Sequence, residues 1–190
     1  MRPSDLGKRL LGTVSRCLPC GHDRAGTPGV DNDPTVLAHA RALLATTPGA
    51  TVLEGDLHDP AAILDRAPLD FSRPVAILLV AVLHFLPDDD ETYGVVATLR
   101  RSMARGSHLV VSHIYAGDHT EETVREGAAV YSRTATGSLT GRDPPRIARY
   151  FEGMELLEPG IAPVDAWRPA EPVEPELVKP GILGAVGVVR

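Results

Sequence analysis

Val30-Asp31-Asn32-Asp33-Pro34-Thr35-Val36-Leu37-Ala38-His39-Ala40-Arg41-Ala42-Leu43-Leu44 reads as the end of a buried strand, an acidic turn and a helix. Asp33 stands at the N-cap, where its carboxylate accepts from free first-turn amides, and Pro34 follows where a missing N–H costs nothing. Leu37, Ala40, Leu43 and Leu44 share one face, so the helix is amphipathic and lies against a core. Capping needs only Asp33, which leaves Asp31 over. A carboxylate at the carboxyl end of a strand, before a crossover helix, is placed to accept both hydroxyls of a nucleoside ribose. The same residue also reads as a second turn acid, since strand-end acids are common in α/β folds.

Downstream, the pattern of strand and helix repeats. Pro48-Gly49 makes a turn and Ala50 to Glu54 a short strand, ending at Gly55-Asp56 with a second strand-end acid. Asp59-Pro60 repeats the cap-then-proline signal and starts a helix through Ile63 and Leu64. Val75 to Leu83 is the most apolar run in the chain and, being continuous rather than alternating, predicts a central strand covered on both faces. Helices are expected over Thr92 to Ala104, about Glu121 to Tyr131 and about Pro145 to Phe151, with a buried strand over Ser107 to Tyr115. Met154 to Leu157 reads as a strand, and Pro159 to Gly181, with six prolines, as an extended surface loop. Ile182 to Val189 is β-prone and should return to the sheet, the last strand pair placing an antiparallel strand at one edge. The order predicts an α/β fold: a Rossmann-like, mostly parallel, doubly wound sheet with a C-terminal antiparallel strand.

Upstream of Val30 the character is different. Residues 1–29 carry glycines and prolines throughout and no sustained apolar period, so they are expected to be irregular and loosely packed, with at most a short helix over Leu6 to Val14. Both cysteines fall here, in Cys17-Leu18-Pro19-Cys20-Gly21-His22. Zinc wants four ligands and the next histidine, His39, is on the helix described above, so no metal site is expected.

A chain of 190 residues suits one domain with a core. Apolar residues make up 43 % and aromatics only 4 %, so Ala, Val and Leu do the packing. The net charge of −6 without a Lys/Arg cluster argues against nucleic acid or an anionic membrane surface as a partner. No apolar run approaches the ~20 residues that span a bilayer, and no signal-peptide core opens the chain, so a cytoplasmic location is expected.

Four blocks stand in order: V-D-N-D-P, E-G-D-L, L-L-V-A-V-L-H-F-L-P-D and a terminal strand pair. Together they resemble class I S-adenosylmethionine-dependent methyltransferases. More closely, Val30 to Leu44, Ser72 to Asp90 and Arg146 to Ile161 look like the actinobacterial S-adenosyl methyltransferase family, formerly a domain of unknown function. The resemblance covers residues 30–190 and implies S-adenosyl-L-methionine as cofactor. Asp31 would hold the ribose hydroxyls, Asn32 would lie beside the adenine, Asp56 would accept from its amino group, and the Leu57 backbone N–H would reach a ring nitrogen. Ala81 and Val82 would border the methionine part. The family opens with a further strand and a glycine-rich turn of the D-x-G-x-G kind, and neither is found before Val30. Residues 1–29 are therefore expected not to correspond to the family's N-terminal part, through truncation, a frameshift or a misplaced start, leaving 30–190 as a partial methyltransferase domain.

The function implied is methyl transfer to a small-molecule acceptor by in-line displacement, where positioning and sometimes a general base do the work. His84 and His113, each near the end of a strand on the cofactor side, are the candidate base or acceptor contacts, and each reads equally as a core or helix-start histidine. A nicotinamide-dependent short-chain reductase shares the two strand-end acids but needs Tyr-x-x-x-Lys. None of Tyr93, Tyr115, Tyr131 or Tyr150 has Lys four residues on. A third reading is a non-catalytic remnant that keeps the sheet edge without binding cofactor, since removing a central strand exposes unpaired backbone.

Overall fold

The computed structural model describes residues 13–15 through their backbone, and residues 26–115, 117, 139–178 and 181–190. Its sheet is built from β1 (Thr13–Ser15), β2 (Thr27–Asp31), β3 (Ala50–Glu54), β4 (Ala76–Val80), β5 (His108–Ile114), β6 (Glu155–Leu156), β7 (Ala162–Pro163) and β8 (Ile182–Val188). The helices are α1 (Pro34–Leu44), α2 (Pro60–Arg66), α3 (Asp89–Arg101) and α4 (Pro144–Ala148). The strand order is β3-β2-β1-β4-β5-β8-β6, with β7 also on β8.

β2 and β3 are parallel, as are β4 and β5, and β1 is antiparallel to both β2 and β4. β2, β3, β4 and β5 therefore run one way, and their carboxyl ends share one edge of the sheet. β8 runs against β5 and against β6. The antiparallel strand expected at an edge is thus interior, with β6 outside it. Gly187 permits this, because Phe151 lies so close over it that a Cβ there would come within 2.6 Å of the ring.

The N-terminal region departs most from expectation. Thr13–Ser15, in a segment expected to be irregular, occupies the slot between β2 and β4, with Thr13 opposite Gly29 and Leu78, Val14 opposite Ile77 and Ser15 opposite Ala76. Two strand edges facing each other across an empty slot would leave rows of unpaired N–H and C=O groups, and three residues of extended chain pair part of both. β2 likewise begins at Thr27 rather than near Val30, because pairing with β3 overrides the poor strand propensity of Pro28 and Gly29.

Helices α1 and α2 start at the caps read from sequence, Asp33 and Asp59, and the structure adds Asp88 for α3 and Asp143 for α4. Asp33, Asp59, Asp88 and Asp143 each accept a backbone N–H in the first turn of their helix. α3 begins at Asp89, earlier than its apolar spacing predicts, because Asp89, Asp90 and Glu91 suit the positive end of a helix. The apolar run from Val75 breaks at Val80, and Leu83–Phe85 forms a 3₁₀ turn. Ile77 and Leu79 are fully buried, as are Leu109 and Val111 beside them on β5, while Val80 on the other face is 46 % exposed. The two faces of β4 are therefore not equally covered. Ile63, Val95, Val96, Leu99, Ile147, Tyr150 and Phe151 close the buried face into one cluster, and α1 buries Leu37 apart from it. The proline-rich stretch holds β7 and two 3₁₀ turns, Val164–Ala166 and Pro175–Leu177. The helix expected over 121–131 and the Cys17, Cys20 and His22 cluster lie outside the described residues.

Candidate functional site

The shared carboxyl edge gathers most of the residues singled out from sequence. Asp31 pairs with Glu54 in the β2–β3 register, and the Gly55 N–H donates to the Asp31 carbonyl at 3.0 Å. Adjacent strands lie about 4.8 Å apart, so Asp31, Asn32 and Asp56 occupy one short stretch of this edge. Asp31 is buried, and its Oδ1 accepts from the Asp33 N–H at 2.8 Å, so part of its carboxylate does turn work. Asp33 Oδ1 in turn accepts from the Thr35 N–H at 2.7 Å as the helix cap.

Asp56 is exposed. Its Oδ1 accepts from the backbone N–H of His58 at 2.9 Å and faces the His58 Nδ1 at 2.6 Å. The His58 backbone bond first, then its side chain and that of Asn32, hold the Asp56 carboxyl below the ordinary range against a partial burial cost. The Asn32 contact brings the tips of β2 and β3 together. Leu57 is part of the core, and Gly55 is packed between Ile63 and Val30, where a Cβ would meet Ile63 Cγ1 at 2.9 Å and Val30 Cγ1 at 3.0 Å.

At the end of β4, Ala81 is exposed and takes φ +55°, a left-handed conformation costly for a residue with a Cβ. Its N–H donates to Ser112 Oγ at 2.9 Å, tying the break in β4 to β5. Val82 is 1 % exposed, so its side chain belongs to the core. His84 follows on the 3₁₀ turn and is buried, its ring edge-on to His113 with centroids 5.6 Å apart, its carbonyl accepting from the Thr140 N–H at 2.9 Å. Its Nδ1 is buried and has no hydrogen-bond partner among the described residues. Burial, then the proximity of His113 and of Arg142, pushes the His84 imidazole down to about 4. His113 is fully buried, and burial chiefly, reinforced by Arg142 and Arg146, brings it down to about 4 as well. Both rings are neutral at pH 7.

Sequence reasoning missed Arg142, a fully buried guanidinium. It donates to Asp89 Oδ1 at 2.9 Å, to the carbonyls of Leu83 and Leu86 at 3.2 and 2.9 Å, to Thr92 Oγ1 at 3.2 Å and to His113 Nε2 at 3.0 Å. Arg146 adds a fork onto Asp89, whose carboxyl stays below the ordinary range because these guanidinium bonds outweigh its burial. No local motif marks this arginine, since its partners lie 29 to 59 residues away. Among the described residues no group of three or more His, Cys, Asp or Glu side chains could hold a metal, and no helix is long and apolar enough to cross a membrane.

A family model for S-adenosyl methyltransferase matches residues 27–190. Two solved structures from actinobacteria are similar at 36 % identity over 86 % of this chain: a methyltransferase candidate from Thermobifida fusca, of which 62 % is covered with a TM-score of 0.75, and a DUF574 family protein from Streptomyces avermitilis, of which 64 % is covered with a TM-score of 0.72. The chain thus spans less than two thirds of the length of either protein. The N-methyltransferase NodS from Bradyrhizobium japonicum, solved with S-adenosyl-L-homocysteine, shares the fold at 13 % identity, covering 85 % of this chain and 65 % of its own, with a TM-score of 0.52. No curated protein matches. Nothing in these comparisons supports a nicotinamide-dependent reductase.

Proposed function

The chain belongs to the S-adenosyl methyltransferase family, whose cofactor is S-adenosyl-L-methionine, and from that premise we propose that it binds this cofactor along the carboxyl ends of β2, β3 and β4 and methylates a small molecule. Residues 27–190 are read as the methyltransferase domain, with the boundary at Thr27, where both β2 and the family match begin. The segment before it is read as not corresponding to the family.

The observation that carries the proposal is the β2–β3 register, which sets Asp31, Asn32 and Asp56 side by side at one sheet edge. This donor set fits the adenosine half of the cofactor. The Asp31 carboxylate suits a ribose diol, the ionised Asp56 is an acceptor suited to an adenine amino group, and the Leu57 backbone N–H suits a ring nitrogen. Ala81 and Val82, where β4 breaks, border the methionine half through their backbone. The cofactor supplies the methyl group, and the chain supplies position. His84, neutral and beside the break in β4, accepts a hydrogen bond from the O–H or N–H of the methyl acceptor and so orients it. His113 stands behind it with both ring nitrogens already engaged. The sequence has no Lys/Arg cluster, which favours a small-molecule acceptor over nucleic acid.

One observation favours a second reading, a chain that keeps the adenosine edge without transferring a methyl. β1 runs against β2 and β4, so its carboxyl end, from which a glycine-rich turn would reach the cofactor, points away from this edge. Calorimetric titration with S-adenosylmethionine tests the proposal. The intact chain should bind, and Asp31→Ala should weaken binding ten-fold or more, the loss of at least ~1.4 kcal/mol of charge-assisted bonding. Asp33→Ala should instead cost about 1 kcal/mol of stability through the lost cap, with little change in affinity. Equal binding by the intact chain and Asp31→Ala would remove Asp31 from the site. No binding by the intact chain at millimolar cofactor would refute the proposal.

A further inference from the structure

Arg142 carries no part of the reading above, yet it is the most heavily bonded side chain in the described structure. A guanidinium has five N–H groups in a fixed plane. Here Nε points to Asp89, Nη1 to Leu83 and His113, and Nη2 to Leu86 and Thr92, so all are used. Two of those acceptors are the carbonyls of Leu83 and Leu86, which flank the turn carrying His84. Another belongs to His113, the ring against which His84 packs. The Arg142 backbone N–H donates to the Ile114 carbonyl at 3.0 Å, and Thr140, two residues before it, donates to the carbonyl of His84 itself. The short stretch from Thr140 to Arg142 therefore straps the ends of β4 and β5 together at the edge assigned to the cofactor.

We infer that Arg142 is the positioning residue of the methyl-acceptor side: its fork fixes the Leu83–Phe85 turn that presents His84, and holds His113 behind it as the Nδ1–H tautomer. The tautomer follows from the partners. His113 Nδ1 lies 2.8 Å from the Ile114 carbonyl, which can only accept, and Nε2 faces an arginine N–H, which can only donate. His113 is thus a neutral spacer of one orientation, and His84 packs on a surface that does not change with tautomer exchange. A lysine in place of Arg142 would keep the charge but present its donors from a single point, unable to reach Leu83, Leu86 and His113 together. The part concerning methyl transfer rests on the cofactor reading proposed above, whereas the tautomer and the turn do not.

Long-range ¹H–¹⁵N NMR of the imidazoles in the full chain tests this, alongside calorimetry with S-adenosylmethionine and thermal unfolding. The native chain should show His113 as a single Nδ1–H tautomer. In Arg142→Lys, the His113 Nε2 and His84 ring signals should move, while His113 keeps the Nδ1–H that the Ile114 carbonyl accepts. Asp89→Asn, which weakens the ion pair but leaves the other four acceptors of Arg142 in place, should lower the melting temperature while leaving His84 and His113 signals in position. An Nε2–H tautomer of His113 in the native chain overturns the inference without any variant. It is equally overturned if Arg142→Lys leaves the His84 signals unmoved, or if Asp89→Asn moves them as far. Should the native chain bind no cofactor, the cofactor reading fails, and the imidazole spectra decide the role of Arg142 alone.

Discussion

Gly55 sets how closely β3 approaches α2, and through that the place of Asp56. A methyl group at this position would sit 2.9 Å from Ile63 Cγ1 and 3.0 Å from Val30 Cγ1, both in the core cluster, so something must shift. Overpacking of this kind costs about 1–3 kcal/mol. Gly55→Ala is accordingly expected to lower the free energy of unfolding by that amount in a urea titration. It should also weaken binding of S-adenosylmethionine, since the displaced backbone carries Asp56 and Leu57. Unchanged stability would mean that Ile63 repacks freely. At this scale the sequence was most legible for the acids. Asp33, Asp59 and Asp56 were each readable from a neighbour one or two positions away, whereas Arg142 finds its partners only after β4, β5 and α3 have come together.

Among the elements, β1 is the one with most to explain. Its three residues pair with Gly29 on one side and with Ala76, Ile77 and Leu78 on the other, joining the β2–β3 pair to the rest of the sheet. Val14 is its middle residue, so its N–H faces one neighbouring strand or the other, and proline there would delete a ladder bond in the middle of a sheet. Val14→Pro should cost about 1 kcal/mol or more, lowering the melting temperature of the full chain by roughly 2–4 °C per kcal/mol. A melting curve superimposable on that of the parent chain would show that β1 contributes nothing to stability. Thr-Val-Ser flanked by glycine and arginine has no apolar run long enough to announce a buried strand. What recruits it is the slot, which exists only once β2 and β4 are in place.

For the molecule as a whole, the consequence of folding around buried imidazoles is acid sensitivity. His84 and His113 are both brought down to about 4, chiefly by burial, from about 6.5 in an unfolded chain. Between those values the unfolded chain binds more protons than the folded one, so stability is complete above about pH 6.5 and falls as the pH drops toward 4. Each histidine contributes up to about 1.4 kcal/mol per pH unit across that window. Asp56 and Asp89, both lowered, extend the loss below it. Unfolding free energies measured from pH 8 to pH 4 should be level at first and then decline, with a shallower decline in His84→Gln. A curve that stays level down to pH 4.5 would show that the two rings are accessible to protons in the fold.

What the sequence determined by itself is whatever depends on neighbours along the chain. The caps at Asp33 and Asp59, the alternation of strands and helices, and the common direction of β2, β3, β4 and β5 follow from local hydrogen bonding, apolar period and the need for crossover connections. Tertiary structure alone decided the filling of the central slot by Thr13–Ser15, the interior place of β8, the break of β4 at Ala81 and the burial of Arg142. Each of these satisfies backbone or side-chain polar groups with partners distant in sequence, and such partners have no signature in the residues beside them.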